Sequence, residues 1–158
     1  MALRRNKKQE EPVRRGPARV LVVHDEPDGC ELLVRLLDRA GHETDRASDF
    51  LEMSDKLLVP RPADCVVLDV AEGGIGGNLK LLDAIRGHHE PVVANMRVVL
   101  VSATASNAIF SWQAGIDEFV VRPFHADQLV DAVGSAIRRL DEERPRYRRR
   151  RLDAVGAH

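Results

Sequence analysis

Aromatic residues make up only 4% of this 158-residue sequence, and cysteine occurs just twice. A core built from it must be filled by Val, Leu, Ile and Ala, the usual content of a buried parallel sheet covered by helices. Cys30 and Cys65 lie in apolar patterns with no ligand-like neighbours. They read as reduced core thiols, not as a disulfide or a metal site. No apolar run approaches the roughly 20 residues that span a bilayer. The N-terminus, MALRRNKKQEEPVRRG, is charged and lacks the apolar stretch of a secretion signal. The expected location is therefore the cytoplasm. No G-x-G-x-x-G or G-x-x-x-x-G-K-[ST] follows the first apolar run, so a nucleotide-dependent enzyme has little support.

The net charge of −1 hides an asymmetry. Residues 1–19 hold seven Lys/Arg and two acids, and residues 138–158 hold eight Arg and four acids. The middle, 20–137, keeps nine basic and nineteen acidic side chains. An acidic body with basic ends is not a nucleic-acid-binding domain, although such ends can touch polyanions weakly and without specificity.

Hydrophobic patterning divides the chain into three parts. Residues 1–18 are polar and proline-containing and read as a disordered basic arm. Residues 19–140 alternate four apolar strands (20–23, 66–68, 97–101, 118–121) and one weak, mostly polar strand (43–47) with five helical stretches (28–40, 48–58, 78–86, 105–114, 126–140). Ser48 and Asn78 are the expected N-caps of the second and third helices, and Gly41 and Gly115 the expected stops of the first and fourth. Residues 141–158, with six arginines between 144 and 151, read as a mobile basic tail. The fold class is α/β: a single doubly wound, flavodoxin-like (βα)5 sandwich with a five-stranded parallel sheet.

Polar chemistry in such a fold collects at the carboxyl ends of the strands. His24-Asp25-Glu26 ends the first strand, Asp69 the third, Ser102 the fourth and Arg122 the fifth. Two carboxylates converging on one edge suit a Mg²⁺ ion held by Asp25 and Asp69. Ser102 and Arg122 would then hold the oxygens of an incoming phosphoryl group, and Asp69 would accept it as an aspartyl phosphate. The plainer alternative is equally open from spacing alone: Asp25 and Asp69 merely cap helices or pair with Arg122.

The stretch from about Arg19 to Leu140 resembles the receiver domain of bacterial two-component response regulators. RVLVVHDEPDG resembles the family's first-strand motif, and ADCVVLDVAEGGIGG its phospho-acceptor strand and loop, with Gly77 eight residues after Asp69. VVLVSATAS resembles the fourth strand with its switch hydroxyl, Ser102, and AGIDEFVVRPF the last strand with an aromatic switch residue, Phe119. The resemblance implies a non-enzymatic signalling module that binds Mg²⁺. It implies phosphorylation by a histidine kinase or phosphotransfer protein, a downstream protein target, and a possible homodimer through the fourth helix, fifth strand and fifth helix.

The departures from the family's pattern point to an atypical receiver with weakened Mg²⁺ binding. His24 replaces the first of two acids and is a poor Mg²⁺ ligand, while Asp25 keeps the second place. Arg122 replaces a lysine, and its planar fork is expected to lock onto Asp69. The alternative to phosphorelay signalling is a phosphorylation-independent pseudo-receiver that works as an interaction module. No effector domain follows Leu140 in the sequence, so output is expected through protein contacts or the tails.

Overall fold

Continuous Val- and Leu-rich runs become strands that are buried on both faces. A computed structural model describes residues 17–156. The strands are β1 (Arg19–His24), β2 (Glu43–Ala47), β3 (Cys65–Asp69), β4 (Arg97–Ser102) and β5 (Glu118–Val121). They form one parallel sheet in the order β2-β1-β3-β4-β5. The helices between them are α1 (Pro27–Arg39), α2 (Phe50–Lys56), α3 (Ile75–Arg86), α4 (Ala108–Ala114) and α5 (Ala126–Arg138), with a single helical turn at Pro91–Ala94. This is the flavodoxin-like doubly wound sandwich expected from the alternation.

Side chains of successive strand residues point to opposite faces. Leu21, Val23, Val66, Leu68, Val98 and Leu100 therefore pack on one side with Met53, Leu82, Ile85 and Trp112 of α2, α3 and α4. Val20, Val22, Val67, Val99 and Val101 pack on the other with Leu33 and Val34 of α1 and Leu129 and Val133 of α5. Cys30 and Cys65 are free thiols inside that second layer. Among the described residues no helix is long and apolar enough to cross a membrane.

Two expected helix starts are corrected. Asp49, not Ser48, caps α2 by accepting from the Glu52 amide, while Ser48 binds the Glu52 carboxylate through its own N–H and hydroxyl. Asn78 lies inside α3, which begins three residues earlier, and is buried there.

The largest departure lies at the end of the chain. The arm expected at 1–18 falls almost wholly outside the described residues, but the expected mobile tail at 141–158 does not. Asp141–Glu143 form a 3-10 turn, and Arg144–Gly156 form a helix, α6, that packs along α4. Burial of charge, not of apolar bulk, holds it. Asp117, just before β5 and only 1% exposed, accepts two hydrogen bonds from Arg144, one from Arg148, one from Arg86 of α3 and one from the Val98 amide. Tyr147 packs edge-on against Trp112, donates its hydroxyl to Glu118 and lies under the Arg139 guanidinium, 3.4 Å from its ring centre. An arginine-rich segment orders when it finds a buried carboxylate to surround, because an unpaired buried charge is far costlier than a paired one.

Candidate functional site

At the carboxyl edge the sheet order changes direction between β1 and β3, which opens a crevice there. The register places His24 beside Asp69. Asp69 is buried, and Arg122 Nη1 reaches both of its carboxylate oxygens, at 2.6 and 2.7 Å. The pairing matches the expected lock on Asp69, but the geometry differs. One nitrogen bridges both oxygens end-on in place of a fork of two nitrogens. The Arg122 side chain stays 40% exposed, reaching in from solvent.

His24 is buried and fixed from two sides. Its Nδ1 accepts the Glu26 amide at 3.0 Å, so in the neutral ring the proton sits on Nε2, which lies 3.4 Å from Asp69 Oδ2. Its ring rests on α1 at Gly29, where an added Cβ would lie 2.3 Å from Nε2. Gly29 is thus the residue that admits a histidine at this position.

Asp25 turns away from Asp69. Its two oxygens accept the amides of Ala71 and Glu72, at 3.0 and 2.8 Å. Partial burial opposes its ionisation, but these backbone hydrogen bonds outweigh burial and hold the Asp25 carboxyl below its ordinary pKa. Asp25 therefore ties down the loop that follows the acceptor strand. Asn78 ties the same loop from α3, its Oδ1 accepting the Val70 amide at 2.9 Å. Gly77 completes it, since a Cβ there would lie 2.2 Å from the Glu72 carbonyl oxygen.

The Ser102 hydroxyl is engaged within its own loop. It donates to the Thr104 carbonyl and accepts from the Thr104 amide and the Asn107 side chain. Phe119 is half-buried and lines a groove of about 590 Å³ between α4, β5, α5 and α6. The thiols stand apart from this chemistry: burial pushes both Cys30 and Cys65 up in pKa, so neither is a ready nucleophile.

Sequence order thus brings Asp69, Arg122 and His24 together, sets Asp25 on the adjoining loop, and leaves Ser102 hydrogen-bonded to its own turn. These residues do not fit a Mg²⁺ ion as arranged. Both oxygens of Asp69 are bonded to Arg122 and both of Asp25 to backbone amides, and His24 offers nitrogen where the ion prefers oxygen. Among the described residues no three His, Cys, Asp or Glu side chains gather as one ligand set.

The sequence matches the response regulator receiver domain family over residues 20–134. It is 31% identical to the nitrogen assimilation regulatory protein NtrX of Azorhizobium caulinodans, over 70% of this chain and 24% of that protein. It is 30% identical to the DNA-binding response regulator MtrA of Mycolicibacterium smegmatis, over 79% of this chain and 53% of that protein. The chain thus spans about half, or less, of the length of these relatives. The solved receiver domain of NtrX from Brucella abortus matches with a TM-score of 0.65 at 30% identity, over 75% of this chain and 97% of that one. The response regulator TrrA of Thermotoga maritima, solved in complex with Mg²⁺ and a beryllium fluoride, matches with a TM-score of 0.63 at 32% identity, over 75% and 98%. Fold and family match agree: the chain belongs to the response-regulator receiver domains of two-component signalling.

Proposed function

We propose that this chain is an atypical receiver whose state is set by the Arg122–Asp69 ion pair in place of a phosphoryl group, and that it signals through protein contacts. The observation that carries the reading is the bridging of both Asp69 oxygens by Arg122 Nη1. Attack on a phosphodonor needs a free oxygen lone pair and a neutralising cation beside it. Here both oxygens are paired with Arg122, so a phosphodonor or a Mg²⁺ ion must compete with the guanidinium for them. The His24 ring adds a second N–H toward the same carboxylate and no oxygen ligand.

A second reading has one observation in its favour. Because Arg122 is 40% exposed, it can leave Asp69 for solvent or for a phosphoryl oxygen. In that reading Asp69 accepts phosphate from a histidine kinase or phosphotransfer protein, slowly, and Arg122 then pairs with the product.

Intact-mass measurement after treatment with acetyl phosphate and Mg²⁺ separates the two. The parent chain is expected to show no adduct. The variant carrying His24→Asp and Arg122→Lys gains a carboxylate and loses the bridging guanidinium, so it should bind Mg²⁺ more tightly and take up one phosphoryl group. Adding Asp69→Asn should remove that adduct. A stoichiometric adduct on the parent overturns the ion-pair reading in favour of the second.

A further inference from the structure

The two basic segments of the chain, far apart in sequence, join the fold at the same edge of the sheet. Residues 1–16 hold six Lys/Arg and two acids and lead into β1. At the start of β1 the Arg19 amide donates to Asp64, just before β3. In the neighbouring register Cys65 pairs with Arg97, the first residue of β4, and Arg97 binds Asp141 in the turn before α6. The roots of the two segments are thus separated by about two strand spacings, roughly 10 Å. Asp69 lies at the opposite, carboxyl edge.

Helix α6 divides its arginines between two faces. At about 100° per residue, Arg144 and Arg148 share one stripe, while Arg146, Arg149 and Arg150 fall opposite. The first two are fastened inward on Asp117, so the other three are held outward, exposed, along about 6 Å of helix. Like charges one turn apart repel, and a bound anion that neutralises them relieves that repulsion. Asp153 ends the outward stripe. Several acids around this edge are already engaged within the protein: Asp117 by Arg144 and Arg148, Asp141 by Arg97, and Glu43 by Arg61.

Three guanidiniums on a fixed helix suit phosphate oxygens, which the planar fork matches better than a lysine does. A membrane surface fits them less well. A helix that lies in a bilayer interface buries its apolar face there. The apolar residues of α6, Tyr147, Leu152 and Val155, are instead packed against the protein's own core. A nucleic-acid duplex requires no apolar contact and presents about one negative charge per 1.7 Å of its axis.

We propose that this amino edge is a binding site for the phosphate backbone of duplex nucleic acid, gripped jointly by the outward arginines of α6 and the basic residues of 1–16. The contact reads no bases. It leaves the ion cluster around Asp117 closed and lies opposite the Asp69 crevice, so it does not depend on how Asp69 is used.

Anisotropy of a fluorescent duplex of about 20 base pairs, titrated with the full-length chain at about 50 and 200 mM salt, tests it. The parent should bind at the lower salt and lose affinity steeply at the higher. The variant Arg146→Gln/Arg149→Gln/Arg150→Gln should bind roughly tenfold or more weakly, and the slope of log affinity against log salt should become shallower by about 3. Lysine at the same three positions keeps the charge and should restore most of the affinity. The variant Arg4→Gln/Arg5→Gln/Lys7→Gln/Lys8→Gln should weaken binding by a similar factor. The three α6 side chains are exposed, and a thermal transition at the parent's temperature confirms that each variant is folded.

A parent that does not bind the duplex at the lower salt overturns the proposal. A glutamine variant of α6 with the parent's affinity and salt slope overturns the role of the helix. Unchanged affinity in the variant at residues 4–8 overturns the joint grip. Vesicles of phosphatidylserine and phosphatidylcholine that bind the parent as tightly as the duplex does, at equal phosphate concentration, overturn the choice of nucleic acid in favour of a membrane surface.

Discussion

The molecule buries two aspartates against arginine, one at each edge of the sheet, and treats them differently. Asp69, at the carboxyl edge, meets a single guanidinium that reaches it from solvent, with a histidine at 3.4 Å. Asp117, at the amino edge, is enclosed by Arg86, Arg144 and Arg148, which also donate to the carbonyls of Ala94, Asn95, Met96, Gly115 and Ile116. Burial pushes Arg86 down to about 10 and lowers Arg148 as well, yet both stay charged near neutral pH. The first arrangement can open on its cationic side at little cost, since Arg122 already touches water, and the buried Asp69 then keeps only the His24 ring beside it. The second cannot, because removing any member leaves buried ions without partners. Buried charge is thus used once as a latch that can release and once as a rivet that joins α3, β5 and α6.

The rivet should show the larger energetic effect. Asp117→Ala leaves three arginines, Arg144 buried and Arg86 and Arg148 partly so, facing one another, and breaking such a site costs about 3–5 kcal/mol. Chemical denaturation measures it. A loss below about 1 kcal/mol would mean that the guanidiniums relax into solvent, and the contrast with Asp69 would fail.

Next in size is the packing behind the latch. Gly29→Ala places a Cβ 2.3 Å from His24 Nε2, and the ring is buried with little room to withdraw. Overpacking of this kind costs about 1–3 kcal/mol. In a His24→Ala background the same substitution should be neutral or stabilising, as glycine replaced inside a helix usually is. Equal costs in both backgrounds would show that the His24 ring is not what fixes residue 29.

Asp69→Asn should cost less than either. The isosteric amide keeps the shape of the crevice, and the freed Arg122 has solvent within reach, so the change in unfolding free energy should stay within about 1 kcal/mol. A loss comparable to that of Asp117→Ala would make Asp69 a second rivet, and the proposed release of Arg122 would lose its basis.

These contrasts also explain which parts were legible in the sequence. The strands were, because parallel strands buried on both faces read as unbroken Val/Leu runs, and strand ends then locate Asp69, Ser102 and Arg122. The Arg122–Asp69 pairing was legible from charge alone. Its end-on geometry was not, because it depends on the path of the chain after β5. Helix α6 was missed because its inward stripe is Arg144, Tyr147, Arg148, Leu152 and Val155, so a search for apolar periodicity finds too little. The i,i+4 pair of arginines flanking a tyrosine was the available signal, and its anchor, Asp117, lies 27 residues away. Asn78 looked like a cap because glycines precede it and glycine is a poor helix former. Tertiary demands override that preference: Gly77 must admit the Glu72 carbonyl, and Asn78 must reach the Val70 amide.

The smallest expected effect is a local one at the Asp25 tether, and its sign in pH is determined. Partial burial favours the neutral acid, but the Ala71 and Glu72 amides favour the carboxylate more, so the folded pKa lies below the ordinary 3.8. A carboxyl with a depressed folded pKa contributes stability that is present above its unfolded value and is lost as pH falls through the folded one. The loop at 70–72 should therefore be held at neutral pH and at pH 5, and should loosen only below about 3.8. Because Asp25 holds only the Ala71 and Glu72 amides, the readout is local: hydrogen-exchange protection of those two amides, followed by NMR across the acid range. The protection should decline with acid in the parent. In Asp25→Asn it should start lower and show no titration step, since the amide oxygen accepts one neutral hydrogen bond more weakly than a carboxylate accepts two. Protection in the parent that persists unchanged to pH 2 would show that Asn78 and the Gly77 contact hold the loop by themselves. Asp25 would then be free to serve a ligand, and the saturation of the crevice argued from its two amide contacts would no longer stand.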